Sequence, residues 1–441
     1  MKITQVYRFT TIFFVNLLVL FLLLELTSIA FIYLTENKFF YSAIHKKIET
    51  TLNIENQAEK DAHIFMQLHP YLGFTQRNAN NLGFDSDVDY PYEKKREEYL
   101  IGIFGGSVAN LFNDYEERNH TLEQTLQEYF SKRYGRDIKI KFLNLALAVY
   151  KQPQQLFALN YALALGQHFD AVINIDGFNE ILGAAKNLEY GIEPSAPSVI
   201  ITAGLTSLAN KDYSTDLELT LAIVDSKKKL RVAQTEASEC RLASCYTYMQ
   251  TKQNYYMKTY SDYINKKIGN HENYQSNESS LVYIGKLGSS TDKAMKESQI
   301  VSIWENSFLT MRQILQARGI PFFSFIQPNQ YYQTARAMSA EEKAIAILDN
   351  ENSEFYTYIP SGYARMVAEA SRLREQGIQI YDATQIFDSY PQTVYVDNCC
   401  HYNDTGNQIF AEYIGKTMIS EFQINALKSE KNTGMSNDLQ P

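Results

Sequence analysis

The sequence predicts an α/β protein: a five-stranded parallel sheet with helices on both faces, an apolar N-terminal helix before it, and a largely helical insertion within it. Three observations predict this. Short apolar runs of strand length recur along the chain, stretches with apolar residues at three-and-four spacing follow them, and the alternation lapses over residues 184–299 before it resumes. Strands that alternate with helices imply crossover connections. Such connections make the sheet parallel, cover both of its faces, and put ligand sites beyond the carboxyl ends of the strands.

Residues 1–10 read as a cytoplasmic tail and residues 11–34 as a transmembrane anchor. From Thr11 to Leu34 nearly every residue is apolar, and a helix rising ~1.5 Å per residue crosses the ~30 Å hydrocarbon core over such a length. Asn16 and Glu25 are the exceptions. A mid-helix acid costs about 2.5–3.5 kcal/mol on insertion scales, which the surrounding Leu, Phe, Ile and Val offset, and Glu25 can also face a partner helix. A cleaved signal peptide is the rival reading, because Ser28-Ile29-Ala30 supplies small residues after an apolar stretch. The run continues through Phe31-Ile32-Tyr33-Leu34, which favours a retained, single-pass anchor. Lys2 and Arg8 compete with Lys38, Lys46 and Lys47 to set orientation. An extracytoplasmic body is preferred, because the reverse would send a charged tail across the bilayer.

Residues 35–98 form an N-terminal extension and lead-in, ending in the polar stretch Asp85 to Glu98. The first part of the core spans 99–183. Its opening strand, Tyr99 to Phe104, stops at Gly105-Gly106. A helix carrying Leu122, Leu126 and Phe130 follows, with Gly135 as its C-cap. The second strand is Ile138 to Leu143, the next helix runs from Pro153 to Gly166, and the third strand is Phe169 to Ile175.

The insertion, 184–299, reads as helix over Leu217 to Ile268 and is rich in tyrosine (Tyr246, Tyr248, Tyr255, Tyr256, Tyr260, Tyr263). These rings either pack it against the core or stack on sugar rings, and the segment is suited to cover the site as a lid or recognition arm. The second part of the core, 300–424, has a helix bearing Val301, Trp304, Phe308, Met311 and Leu315, a strand Ile320 to Ile326, and a helix Tyr363 to Gln376. A strand Ile378 to Tyr381 and a last helix Thr405 to Phe422 complete it. The polar tail, 425–441, is expected to be disordered.

Several classes are excluded. A net charge of −9 and a pI near 5.4 argue against nucleic acid as a partner, since the one dense basic run, Lys227 to Arg231, is short and helical. No GxGxxG or GxxxxGK[ST] follows the first strand, and no cofactor is expected. The four cysteines Cys240, Cys245, Cys399 and Cys400 allow three pairings. Cys240 and Cys245 cannot bridge within a continuous helix, so a bond there requires a bend. No metal is expected at Cys399-Cys400-His401, because adjacent ligands suit tetrahedral geometry poorly and neither CxxC nor HExxH accompanies them.

Three loops on one rim carry candidate chemistry. Ser107 in Phe104-Gly105-Gly106-Ser107-Val108 sits where a strand ends and a helix begins, so amides and the positive helix end can stabilise an oxyanion beside it. Taken alone it reads first as an N-cap serine after a glycine turn. Asn179, in Asp176-Gly177-Phe178-Asn179-Glu180, can donate to the same oxyanion, and His401 can take the serine proton. Taken singly, Asn179 is an Asx turn and His401 a surface residue. Their convergence at strand ends of one sheet is what points to a site, with Gly106 and Gly177 on the substrate rim.

Phe104-Gly105-Gly106-Ser107, Gly177-Phe178-Asn179-Glu180 and Asp397 to His401 with Thr405-Gly406-Asn407 resemble the signature blocks of the SGNH (GDSL-like) hydrolase superfamily, in order over residues 65–422. His69-Pro70-Tyr71-Leu72-Gly73-Phe74 and Asn81-Leu82-Gly83-Phe84 are similar to the lead-in of its bacterial envelope members. The resemblance implies a flavodoxin-like fold and ester hydrolysis or acyl transfer. Ser107 would be the nucleophile and His401 the base, with Asn179 and backbone amides as oxyanion hole. Its substrate would be an acetyl or acyl ester of an envelope glycan or lipid.

The chain departs from the family twice. The second block lacks its usual glycine, in Asn144-Leu145-Ala146-Leu147-Ala148-Val149, so the amide of Ala148 or Val149 must donate instead; Ala148 is preferred. Asn398 stands where the family has its acid, which leaves Asp397, one residue earlier, as the group that orients His401. These departures keep a second reading open: a non-catalytic module that binds or assembles envelope polysaccharide. The serine context lacks the last glycine of GxSxG, which argues against an α/β-hydrolase elbow.

Overall fold

The computed structural model of the chain describes residues 3–36, 66–76, 79–202, 240–271, 293–332, 336–348 and 353–437, with scattered positions in 222–237 and at 285 and 287. In chain order the elements are α1 (Ile3–Glu36), β1 (Met66–His69), β2 (Gly73–Gln76), β3 (Glu98–Gly105), α2 (Ser107–Asn119), α3 (Thr121–Tyr134), β4 (Lys139–Asn144), α4 (Gln154–Ala164), β5 (Ala171–Asp176) and α5 (Phe178–Glu189). Then come α6 (Ala243–His271), α7 (Lys293–Ala317), β6 (Phe322–Ile326), α8 (Ala340–Ala346), α9 (Glu354–Glu375), β7 (Ile380–Asp382) and α10 (Asp404–Asn437). The chain divides into two compact units, one of residues 1–64 with 207–279 and one of residues 65–206 with 280–441.

In the larger unit, β3 to β7 form one parallel sheet in the order β4-β3-β5-β6-β7. Every residue of β5 and β6 is buried, as is β3 from Leu100 onward, so both sheet faces are covered. Helices α2, α3 and α10 pack together, and α4, α5, α7 and α9 form a second packed group. The order reverses between β3 and β5, which opens a crevice at their carboxyl ends. Ser107 and Gly177 follow those two ends.

The strand boundaries expected from sequence agree with the structure to within about two residues, as boundary readings of this kind allow. Four features differ. β1 and β2 pair as an antiparallel hairpin within what reads as irregular lead-in. Helix α9 starts at Glu354, ahead of Tyr363, and contains Pro360. The C-terminal helix continues to Asn437, where a disordered tail was expected; Ala426, Leu427, Lys428, Glu430 and Lys431 are good helix formers with no proline before Pro441. The segment grouped with the N-terminal helix is 207–279, narrower than 184–299, because Asn187 ties residues 193–199 to the core through Nδ2 to the carbonyl of Ala196 (2.9 Å) and Oδ1 to the amide of Val199 (2.8 Å).

In the smaller unit, Thr11–Leu34 of α1 has a mean hydropathy of 2.5 and is long and apolar enough to cross a membrane. Its outer side chains from Ile12 to Leu24 are exposed, whereas Glu25, Ser28 and Ile32 are buried. Ile29 and Ile32 pack with Ala243 and Tyr246 of α6. Glu25 caps the first turn of α6, accepting from the amides of Ala243 (2.6 Å) and Ser244 (3.1 Å) and from the Ser244 hydroxyl (2.6 Å). A carboxylate at a helix N-terminus is favoured by both the free amides and the dipole. Cys240 and Cys245 are disulfide-bonded with Cα atoms 5.7 Å apart. The bend they require exists, because α6 begins only at Ala243 and Cys240 lies before it. Tyr248 and Tyr255 stand exposed on α6, and Tyr255 meets Tyr256 edge to face.

Candidate active site

Ser107 is the first residue of α2, and Gly106 is its N-cap in an extended conformation. The hydroxyl of Ser107 lies 2.7 Å from Nε2 of His401, and Nδ1 of His401 lies 2.5 Å from Oδ2 of Asp397. These residues are 294 positions apart in sequence for the first pair and 4 for the second. The crossover geometry of the sheet alone brings the first pair together. Among the described residues, Asp397 and not Asn398 hydrogen-bonds the ring. The Asn398 carbonyl accepts from the Tyr331 hydroxyl at 2.9 Å instead.

Asp397 is held by its own loop. Its Oδ1 accepts from the amides of Cys399 (2.9 Å), Cys400 (3.1 Å) and His401 (3.3 Å), which leaves Oδ2 for the imidazole. Burial works against its charge, but His401 and those amides outweigh it and hold the carboxyl below its usual range. For His401, burial disfavours the charged ring, yet attraction and the hydrogen bond from Asp397 prevail and raise the imidazole to about 9. With Nδ1–H committed to Asp397, the neutral tautomer presents a lone pair at Nε2 to the serine hydroxyl. That arrangement can take a proton from Ser107 and return it.

The neighbouring loop after β6 supplies a grip that the sequence reading missed. Three consecutive side chains bind three consecutive carbonyls of the histidine loop: Asn329 Nδ2 reaches Cys399 (3.2 Å), Gln330 Nε2 reaches Asp397 (3.1 Å), and Tyr331 reaches Asn398. Tyr402 returns a hydrogen bond to the carbonyl of Pro328 at 2.6 Å. The only signal in the sequence was position, since this polar run begins at residue 327 where a strand-end loop was expected. A buried pair, Arg336 with Glu342, fixes the approach to the loop. Glu342 Oε1 accepts from the amides of Val394 (2.8 Å) and Tyr395 (3.1 Å), and Arg336 Nε donates to the carbonyl of Tyr390 (2.7 Å).

At the end of β4, the chain hugs β3, with amides of Leu145 and Leu147 donating to Ile103 (2.8 Å) and Gly105 (3.2 Å). It then turns at Ala148 and Val149. Val149 has φ +67, a conformation that costs a β-branched residue energy and that clusters at functional sites. Among the described residues neither of these two amides has an acceptor in the protein. The lead-in braces this loop: Tyr90 donates to the carbonyl of Asn144 (3.0 Å), Asn144 Nδ2 donates to that of Asp85 (2.9 Å), and Tyr150 donates to that of Phe74 (2.8 Å).

Asn179 lies in the first turn of α5, and its Nδ2 donates to the carbonyl of Tyr150 at 3.0 Å. A Cβ on Gly106 would fall 2.1 Å from that same nitrogen. Gly177, at φ +150, would bring a Cβ to 2.5 Å from the Tyr363 hydroxyl. Both glycines are buried, and their lack of a side chain lets Asn179 and Tyr363 close in. At the start of α5, Glu180 accepts from the Gly177 amide (2.7 Å) and from Gln155 (2.9 Å), while Asp176, ending β5, accepts from Asn174 (2.6 Å) and Trp304 (3.0 Å). Burial raises both carboxyls, that of Glu180 further because Asp176 repels its charge. This pair anchors the Asn179 turn.

Cys399 and Cys400 are unbridged, with sulfurs 3.1 Å apart. Burial, then its neighbour Cys399, pushes the Cys400 thiol well above its usual range, so it stays protonated at neutral pH and does not compete as nucleophile. No family model matches the chain, and a search of curated proteins returns no significant match.

Proposed function

We propose that this chain is a membrane-anchored serine esterase or acyltransferase of the SGNH type, acting on an acetyl or acyl ester of an envelope glycan or lipid. The observation that carries the reading is His401 bonded on one side to Ser107 and on the other to Asp397. In the proposed reaction Ser107 attacks the ester carbonyl as Nε2 of His401 takes its proton. The amides of Ser107 and Ala148 and the Nδ2 of Asn179 receive the developing oxyanion, and Asp397 stabilises the imidazolium. His401 then protonates the leaving alkoxide. Water or a sugar hydroxyl releases the acyl group by the same steps in reverse. The strand order, with Ser107 and Asn179 at the switch point, supports the flavodoxin-like assignment.

The apolar stretch of α1 supports a single-pass anchor in the cytoplasmic membrane, and the Cys240–Cys245 disulfide supports an extracytoplasmic body. The test is to treat the detergent-solubilised full chain with a fluorophosphonate probe and a generic acetyl ester. Labelling and hydrolysis should both occur, and Ser107→Ala should abolish both. A wild-type protein inert to both reagents would favour the non-catalytic, polysaccharide-binding reading.

A further inference from the structure

The histidine loop carries a second reactive group that the proposed ester chemistry does not use. We infer that Cys399 and Cys400 form a vicinal dithiol modification site, which takes a disulfide oxidant and, once closed to a ring, disables the Ser107–His401 pair. This rests on the reading of Ser107, His401 and Asp397 as the reacting set. The two sulfurs lie 3.1 Å apart, roughly 1 Å beyond the ~2.05 Å of a bond. Cys399 is partly exposed and Cys400 is buried, which makes Cys399 the thiol an oxidant reaches first.

The exchange balances. The Cys399 thiolate attacks one sulfur of the oxidising disulfide, forming a mixed disulfide and releasing a first thiolate. The Cys400 thiol then attacks Sγ of Cys399, giving up its proton to the second thiolate as it displaces it. Two protons and two electrons leave the protein, and the oxidant becomes two thiols.

Ring closure is costly to the neighbouring site for a geometric reason. Adjacent Cα atoms are ~3.8 Å apart across a trans peptide, whereas disulfides usually span about 4.4–6.8 Å, so the Cys399–Cys400 peptide must rearrange. The amides of Cys399, Cys400 and His401 are the ones that hold Oδ1 of Asp397, and the Cys399 carbonyl is held by Asn329. Moving that peptide therefore loosens the carboxylate that orients His401. A strained ring of this kind is readily reopened by a thiol reductant. The metal alternative is disfavoured, because both ring nitrogens of His401 are already engaged.

The test equilibrates the full-length protein with oxidised or reduced glutathione, then reads two quantities. The peptide containing residues 399 and 400 should become lighter by two hydrogen atoms after oxidation. The rate of fluorophosphonate labelling at Ser107 should fall by about a hundredfold or more, less than the ~10⁴-fold of losing the orienting acid outright because the carboxylate is loosened and not removed, and recover on reduction. Cys399→Ser, which keeps every backbone amide, should label at the same rate under either poise. An unchanged mass, a closed ring with undiminished labelling, or a Cys399→Ser variant still silenced by oxidant would each overturn the inference. No labelling in the reduced protein would instead sink the catalytic reading and the coupling built on it, while the mass shift would still decide whether the dithiol closes.

Discussion

Asp397 divides its two oxygens between two tasks: Oδ2 meets Nδ1 of His401 at 2.5 Å, while Oδ1 gathers the amides of Cys399, Cys400 and His401. The carboxylate is thereby fixed by the same loop that carries the imidazole. Its removal should be felt in turnover more than in folding. Asp397→Asn should lower esterase turnover about 10³- to 10⁴-fold, because the amide favours the wrong tautomer and does not stabilise an imidazolium. Melting temperature should change little. An unaltered rate would show that the ring is held by other groups.

The pH profile follows from the same pair. His401 acts as a base only when neutral, and Asp397 raises it to about 9, so kcat/KM should climb with pH through the alkaline range toward that value. Stability should move the other way. The folded-state imidazole lies above its unfolded value of ~6.5, so the ion pair contributes fully below that pH and its contribution is lost as pH rises through about 9. Asp397→Asn should move the kinetic limb toward lower pH. A limb that stays put in that variant would assign it to another group.

Asn179 and Gly106 form a second linked pair. Asn179→Ala should cost about 10²- to 10³-fold in rate while fluorophosphonate labelling persists, as loss of one oxyanion donor does. Gly106→Ala should do comparable harm by displacing the donor without removing it, because its Cβ would fall 2.1 Å from the Asn179 amide nitrogen. If Gly106→Ala keeps full activity, the Asn179 amide is not held where the oxyanion argument requires it.

Tyr331 tests the carbonyl grip. Tyr331→Phe removes only the hydroxyl that bonds the Asn398 carbonyl and accepts from the Leu348 amide, so KM should hold while kcat falls. The pH limb should also shift as the Asp397–His401 contact loosens. A loss of melting temperature with kinetics and pH profile intact would mark the residue as structural.

Glu25 has its own test. Glu25→Ala strips the cap from α6 and should destabilise its first turn by about 1 kcal/mol or more. Hydrogen exchange at the amides of Ala243 and Ser244, which now donate to Glu25, should accelerate. Unchanged protection there would mean that the cap does not hold in solution. A reporter fused after Pro441 should be active only outside the cytoplasmic membrane, and activity inside would reverse the proposed topology.

The parallel sheet was legible in the sequence because buried strands are short apolar runs and covering helices repeat at three-and-four spacing, patterns that depend on neighbours in the chain. The same local logic marked Ser107, Asn179 and His401 as strand-end residues and the N-terminal helix as a continuous apolar run. Local pattern did not reveal the β1–β2 hairpin, whose strands are four residues each, nor the helix continuing past Phe422. Which group supports His401 was decided only by the tertiary structure. Asp397 and Asn398 are adjacent and both polar, and the difference lies in Tyr331 taking the Asn398 carbonyl while the loop turns Asp397 inward. Likewise, that Asn179 and Tyr363 crowd the places where Gly106 and Gly177 lack a side chain shows only in the tertiary structure. Glu25, an anomaly in an apolar run, finds its partners at Ala243 and Ser244, more than 200 residues away. Periodicity reports which side of an element is buried, whereas a contact between distant residues depends on where the crossovers and loops bring them, and no stretch of local sequence encodes that.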